Sequence, residues 1–480
     1  MKLKEILKNV EYKLIKGSVE IDIKDISYDS RNISKDYAFV CLIGIDTDGH
    51  NYINQAIKSG ATCIITCKDV NIEKDVTIVK IKDTRKELSI LSANLFKNPQ
   101  DQLIKIGITG TKGKTSTSWM IKSILEQTGE KVGIIGTLGT YIDNKKYEHK
   151  NTTPESYLIQ KYMRKMVDEK VKYLIMETSS TALKVGRINN IIFDYGIFTN
   201  LSIDHIGPRE HPNYEDYVNS KAQLFKQCRI GILNKDDKEY ETMIKDSTCK
   251  ILTYGTKDTD IIIKNIKQLK QTIGVQFELE GIINDKYSIQ TPGTFSAFNA
   301  TCAIALAHQL KINESTIQKG LKKYYVEGRC EIIKRKDYTV VIDFAHNKLS
   351  IESIIKTMRQ YNPNKIITVF GCGGGIGKEM RIELGEAAGK LSDICIITAD
   401  NPQNDDIKEI NEDIKKGVIN QKGKYKIIED RETAIRFALD HAEKNDIILL
   451  LGKGHEKYQE IKGIKYPFDE RKIVEEYVEV

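Results

Sequence analysis

Short apolar runs that end abruptly in polar or small residues recur along this chain, separated by stretches of helical period. Residues 103–108, 131–135, 173–176, 195–198 and 230–233 each read as a buried strand. They run into Thr109-Gly110, Gly136-Thr137, Glu177-Thr178-Ser179-Ser180, Thr199-Asn200 and Asn234. Such alternation predicts parallel β–α–β units, whose polar strand ends line one crevice where ligands bind.

Before this region, the pattern predicts strands at 38–43, 63–66 and 77–81 and helices at 52–59 and 85–96. Asn98-Pro99-Gln100-Asp101 reads as a linker, because proline discourages continuation of the helix before it. Residues 251–289 alternate more strongly and predict added antiparallel strands, followed by helices at 299–310 and 315–323. Beyond Glu331, residues 340–344, 366–370, 394–398 and 447–451 predict a second doubly wound sheet. The expected fold class is therefore α/β in three domains. These are an N-terminal domain (1–98), a central mononucleotide-binding parallel sheet (99–330) and a C-terminal Rossmann-like doubly wound domain (331–480). Gly371-Cys372-Gly373-Gly374-Gly375 follows a strand, but Ile376 or Lys378 falls where the last glycine of G-x-G-x-x-G belongs, which argues against a dinucleotide site.

Composition narrows the class. The length of 480 residues suits roughly three domains, and 40% hydrophobic residues give each a core. Lys+Arg at 74 against Asp+Glu at 67 leaves a net charge of +7, a mild excess that suits phosphate-bearing small substrates and does not argue for nucleic acid. The nine cysteines are scattered and lack CxxC pairs, as expected for reduced thiols in a cytoplasmic protein; Cys63 and Cys67 read as core packing. Met1-Lys2-Leu3-Lys4-Glu5 opens no signal-peptide pattern, and the longest apolar runs are strand-sized. A soluble cytoplasmic protein with no membrane partner is expected, with monomer as the default.

The richest chemistry follows the first strand of the central region. Gly110-Thr111-Lys112-Gly113-Lys114-Thr115-Ser116 leads into a helical pattern with Met120, Ile121, Ile124 and Leu125 on one face. Backbone N–H groups, a helix N-terminus and the Lys114 ammonium then surround one anion-sized hollow, with Thr115 placed to ligate a phosphate-bound Mg²⁺. The spacing is the short form G-x-x-G-K-T, since Ile108 stands where a standard phosphate loop has glycine. A nucleoside triphosphate is expected here. Glu177, ending a strand, and His205, in a loop, are candidate metal ligands.

Taken in order, Gly110 to Thr115, Glu177, Thr199-Asn200-Leu201-Ser202-Ile203-Asp204-His205 and Tyr217-x-x-x-Lys221 resemble the Mur ligase family, which builds the peptide stem of peptidoglycan. Asp29-Ser30-Arg31, Phe39-Val40 and Asp48-Gly49-His50 resemble the uridine-binding part of its third-residue-adding branch, and Asn151-Thr152-Thr153-Pro154 its muramoyl-peptide loop. Gly328-Arg329, Asp343-Phe344-Ala345-His346-Asn347, Asp400-Asn401-Pro402 and Gly452-Lys453-Gly454-His455-Glu456 follow in family order. The resemblance implies an ATP- and Mg²⁺-dependent ligase acting on UDP-MurNAc-L-Ala-D-Glu through an acyl phosphate. It implies catalytic roles for Lys114, Lys221 and His205. Thr115, Glu177, His205 and Lys221, the last as N6-carboxylysine, would hold metal. ATP would meet Gly110 through Ser116, Asn299, Arg329 and Asp343. Ser30, Thr152, Thr153, Ser179 and Arg187 would hold the UDP-linked substrate, and Asp400, Asn401, Gln403, Gly452 and Glu456 the amino acid. Since ATP and the amino acid fall to different domains, closure of the C-terminal domain is expected to assemble the site.

The amino acid is where the pattern departs. Diaminopimelate-adding relatives carry Asp-Asn-Pro-Arg, whose guanidinium grips a distal carboxylate, whereas Gln403 supplies no charge. Thr152-Thr153-Pro154-Glu155-Ser156, Asp204-His205-Ile206-Gly207-Pro208 and Ala345-His346-Asn347 resemble the lysine-adding branch, while Gly454-His455-Glu456 resembles the diaminopimelate branch. L-Lysine is the expected third residue, with meso-diaminopimelate as the alternative. Thr181, Lys112 and Gly375-Ile376-Gly377-Lys378 also depart from common family residues. A folylpolyglutamate synthase-like ligase and a non-catalytic nucleotide-binding paralogue are the rival readings. The N-terminal unit speaks against the first, and retention of Lys114, Glu177, His205 and Lys221 against the second.

Overall fold

The computed structural model describes residues 1–143, 145–207, 210–269 and 272–478. Pro208 of the lysine-branch resemblance, and Lys270 and Gln271 of the expected antiparallel stretch, lie outside them. The chain separates into two compact units: Met1–Lys264 with Leu279–Asp285 and Phe298–Leu321, and Asn265–Glu278 with Lys286–Ala297 and Lys322–Val480.

The first unit holds two sheets. Its N-terminal sheet runs in the order Tyr12–Lys16, Thr77–Ile81, Ala61–Thr66, Tyr37–Val40, Asp25–Ser27, antiparallel only at the first pair. In the larger sheet, Lys250–Gly255, Cys228–Asn234, Phe193–Phe198, Ile104–Thr109, Tyr173–Glu177 and Val132–Gly136 are parallel neighbours in that order. Gly139–Ile142 and Lys145–Tyr147 extend its far edge antiparallel. Central strands are buried on both faces, so they read as continuous apolar runs. Gly107 lets a helix lie close: a Cβ there would sit 2.9 Å from Leu224 Cδ1 on helix Tyr214–Lys226. That helix carries Lys221.

One expectation of strand direction needs correction. The alternating stretch from 251 does not begin antiparallel, because Lys250–Gly255 pairs parallel with Cys228–Asn234, and Ile261 and Ile262 pair parallel with Tyr254 and Gly255. Alternation reports one-sided burial, seen along Ile261–Gln268, and carries no information on strand direction. The expected linker is a 3₁₀ turn, Pro99–Gln102, with Pro99 and Gln100 buried. Cys63 is buried as expected, whereas Cys67 is half-buried with Sγ 3.8 Å from His50 Nε2.

The second unit is built on a six-stranded sheet ordered Glu331–Lys334, Thr339–Asp343, Ile447–Leu451, Ile366–Phe370, Ile394–Ile397, Tyr425–Ile427. Only its first pair is antiparallel. Val341, Phe370 and Leu449 pack into one core and Val340, Val369 and Leu450 into another, as two covered faces require. Asp343, Gly371, Asp400 and Gly452 stand at or just beyond the carboxyl ends of parallel strands, where such sheets bind ligands. Among the described residues no helix is long and apolar enough to cross a membrane.

Candidate functional site

The glycine turn after Ile104–Thr109 is shaped by its neighbours. Gly110 has φ +148°, and a Cβ at Gly113, φ +86°, would sit 2.4 Å from Asn299 Oδ1. Only glycine fits both the backbone and the space. Gly113 caps helix Lys114–Glu126, whose first N–H groups are left for an anion. The loop is fastened by Thr111 N to Asn200 O at 2.8 Å and Lys112 N to Asn200 Oδ1 at 3.0 Å. Lys112 Nζ lies 3.3 Å from Asp204 Oδ2, so its departure from the family residue is matched by an acid. Lys114 Nζ folds back onto Gly110 O at 2.8 Å and Thr111 O at 3.2 Å, keeping its charge beside the hollow. Ser116 is half-buried in the first turn of the helix.

Glu177 is wholly buried at its strand end. One carboxylate oxygen accepts from Thr115 Oγ1 and Thr137 Oγ1, both at 2.9 Å, and the other from Thr137 N at 3.2 Å. A buried carboxylate beside two hydroxyls, at the edge of a phosphate-shaped turn, is a hard-oxygen donor set that fits Mg²⁺ bound partly by phosphate. Among the described residues no three His, Cys, Asp or Glu side chains cluster as a metal cage, so hydroxyls and ligand oxygens would complete the shell.

Lys221 is buried, with Nζ donating to Gly110 O at 2.9 Å. Burial, reinforced by the nearby Lys114 charge, holds its ammonium well below the ordinary lysine range. His205 is exposed by comparison, sits at φ +56° and pairs Nδ1 with Glu210 Oε1 at 2.8 Å. Its ring lies 5.9 Å from that of Tyr217, whose hydroxyl is 2.9 Å from Thr111 Oγ1.

Sequence reasoning missed His211, which is fully buried between Asp216 Oδ2 (Nδ1, 2.6 Å) and Ser180 Oγ (Nε2, 2.9 Å). It ties the loop bearing Ser179 to the helix bearing Lys221. The available signal was a histidine five residues before an acid at a helix start. Beside Glu177, Thr152 Oγ1 is 3.2 Å from Thr137 Oγ1, and Thr153 Oγ1 donates to Glu177 O at 2.7 Å and lies 3.2 Å from Ser179 Oγ. Arg187 NH1 donates to Thr153 O at 2.9 Å. Ser30, in the N-terminal part, is buried and donates to Gln55 Oε1 at 3.1 Å.

In the second unit, Asp343 accepts Cys330 N at 2.7 Å and Ala345 N at 2.9 Å, while Arg329 stacks over Phe344 at 4.8 Å. Burial raises the Asp343 carboxyl above the usual carboxylate range, with Arg329 opposing. Asn401 is the hub of a second cluster: its amide nitrogen donates to Glu456 Oε2 at 2.7 Å, and its oxygen accepts Lys453 Nζ at 2.9 Å and Glu460 N at 3.0 Å. The buried Lys453 ammonium lies 3.8 Å from Asp400 and 3.4 Å from Glu456, a partner the sequence reading did not single out. A Cβ on Gly452 would strike Asp400. Gln403 is exposed at φ +53°, with N bonded to Glu460 O at 3.0 Å.

Three family descriptions match this chain: Mur ligase family, catalytic domain over residues 22–108, Mur ligase middle domain over 108–307, and Mur ligase, glutamate ligase domain over 328–454. The UDP-N-acetylmuramoyl-L-alanyl-D-glutamate–2,6-diaminopimelate ligase of Clostridium perfringens is 40% identical over 488 residues, covering 100% of both chains. The chain belongs to the Mur ligase family. The Caldanaerobacter subterraneus Mur ligase of the same name is 41% identical, covering 99% of this chain and 98% of its own. A solved structure of an enzyme of that name superposes with TM-score 0.71 at 26% identity over 99% of this chain and 98% of its own. A Mycobacterium tuberculosis folylpolyglutamate synthase shares the fold over 75% of this chain and 91% of its own, with TM-score 0.60 at 15% identity. As a Mur ligase with the three-domain α/β fold, the enzyme is an ATP-dependent acid–amino-acid ligase of peptidoglycan synthesis, forming an amide bond with release of ADP and phosphate.

Proposed function

We propose that this Mur ligase joins meso-diaminopimelate to the D-Glu side-chain carboxylate of UDP-MurNAc-L-Ala-D-Glu. The observation that carries this reading is end-to-end identity of 40% and 41% with relatives named for 2,6-diaminopimelate. It displaces the L-lysine expected from Gln403. Gln403 is an exposed turn residue, and the neighbouring Asn401–Lys453–Glu456 cluster suits the ammonium of either amino acid, so the reading follows the named relatives.

Lys114 neutralises the β- and γ-phosphates while the substrate carboxylate attacks the γ-phosphorus, giving an acyl phosphate and ADP. The amine then attacks the acyl carbon and phosphate leaves. Thr115 and Glu177 would hold Mg²⁺, with His205 as a further ligand. Bound there, the ion would supply Lewis-acid stabilisation of phosphoryl oxygens. Lys221 acts as N6-carboxylysine: burial disfavours its charged ammonium, and carbamylation joins Nζ to the carbon of CO₂ with loss of one proton from the amine. Ser30 meets the uridine, and Thr152, Thr153, Ser179 and Arg187 the muramoyl dipeptide. Asn299, Arg329 and Asp343 meet adenosine, and Asp400, Asn401, Gln403, Gly452 and Glu456 the amino acid. The domains end near residues 98 and 330, and the enzyme works as a cytoplasmic monomer.

The test is phosphate release with ATP, Mg²⁺ and UDP-MurNAc-L-Ala-D-Glu, with meso-diaminopimelate, L-lysine and L-ornithine in parallel. Strong turnover with diaminopimelate is expected. Turnover confined to lysine or ornithine would overturn the reading.

A further inference from the structure

Glu155 sits between two arginines. Its Oε1 accepts Arg187 Nε and Arg85 NH1, both at 3.0 Å, and its Oε2 accepts Arg85 NH1 at 3.1 Å. Arg187 is anchored further by NH1 to Thr153 O at 2.9 Å, and Arg85 by Nε to Ile43 O at 3.2 Å. The two guanidiniums come from distant stretches of chain. Arg85 lies in the first turn of helix Thr84–Leu95, and Glu155 is the residue capping helix Ser156–Asp168. Side-chain exposures of 22% for Arg85, 15% for Glu155 and 13% for Arg187 put the group largely out of water.

Two guanidiniums against one carboxylate leave one positive charge in a place where unpaired charge is costly. Arg85 NH2 has no hydrogen-bond partner among the described residues. Tyr28 faces the same group, and burial with the Glu155 charge pushes its phenol up to about 12. It stands two residues before Ser30, while Arg187 reaches Thr153. The Tyr28 ring meets that of Tyr157, two residues beyond Glu155, edge-on at 6.5 Å, so the cluster lies beside the segment assigned to uridine and bonds to the one assigned to the muramoyl dipeptide. In the nucleotide-linked substrate, the diphosphate is the group that joins uridine to the muramoyl dipeptide.

We propose that Arg85 binds the diphosphate of this substrate and that Glu155 is the positioning residue holding Arg85 and Arg187 side by side for it. The inference rests on the proposed function for its ligand.

The test measures binding of UDP-MurNAc-L-Ala-D-Glu and of UDP-MurNAc, which lacks the dipeptide, by calorimetry to wild type, Arg85→Met, Arg85→Lys and Glu155→Gln. Arg85→Met is expected to weaken both nucleotides by the same factor, about tenfold or more, as loss of a charge-assisted bond does. The KM for ATP stays unchanged. Arg85→Lys recovers part of the affinity, and Glu155→Gln weakens both nucleotides. Undiminished binding to Arg85→Met, a loss confined to the dipeptide-bearing nucleotide, or an equal rise in the KM for ATP would overturn the inference. Failure of wild type to bind either nucleotide would remove the proposed function and this inference together, whereas wild-type binding matched by the variants removes only the inference.

Discussion

The phosphate-loop end of this enzyme and the end proposed for the amino acid are built differently. Around Gly110–Thr115 the site is mostly backbone: two glycines with positive φ, a helix N-terminus and a strand-end carboxylate. Around Asn401 it is a side-chain network in which Lys453, Glu456 and Glu460 converge from more than fifty residues away. A backbone site leaves rigid spacing in the sequence. A side-chain network leaves scattered polar residues that gain meaning only when folded, and it is free to change specificity while the phosphate chemistry stays fixed.

The comparison breaks first at Lys114. Lys114→Met should lower kcat by about 10³-fold, the scale of removing a group aimed at developing charge, with the KM for the amino acid little changed. Gly113→Ala should be nearly as damaging, raising the KM for ATP at least about tenfold through collision with Asn299 and an unfavourable φ. At the other end, Glu456→Gln should raise the KM for the amino acid about tenfold while leaving the KM for ATP within about twofold, the loss of one charge-assisted contact. A matching rise in the KM for ATP would blur the two ends into one.

His211 gives a pH-dependent test in the first unit. Burial holds its imidazolium pKa below the ordinary histidine value of 6.5, with Asp216 opposing. Between the lowered folded value and 6.5 the unfolded chain binds more protons, so stability falls as pH drops through that window. Asp216 is itself lowered from 3.8 and so contributes constantly above that pH. His211→Gln should lower the melting temperature at pH 7.5 but flatten its decline towards pH 5.5, checked by thermal melts across the range. The smallest effect is expected from Gly375→Ala: φ is +74° but the Cβ position is open, so about 1 kcal/mol of stability is lost with unaltered turnover.

The same contrast governs what the sequence revealed. Lys114 and Thr115 stood out because glycine, lysine and hydroxyl in that order have no packing reason to occur, whereas Glu177 was only a strand-end carboxylate until the fold set it 2.9 Å from Thr115. The two parallel sheets were legible because doubly buried strands read as unbroken apolar runs. The direction of Lys250–Gly255 was not, since alternation records exposure alone. His211 and Lys453 were opaque for a related reason: a buried histidine or lysine has the same letter as an exposed one, and only the positions of Asp216, Ser180, Asn401 and Asp400 in the fold distinguish them.

The central claim is that the phosphate end works independently of the amino-acid end. It is tested most directly by trapping acyl phosphate with hydroxylamine, using ATP, Mg²⁺ and UDP-MurNAc-L-Ala-D-Glu without amino acid, on wild type and Glu456→Gln. Equal hydroxamate from both proteins, and none from Lys114→Met, is the predicted result. Trapping that needs the amino acid, or that fails in Glu456→Gln, would contradict it.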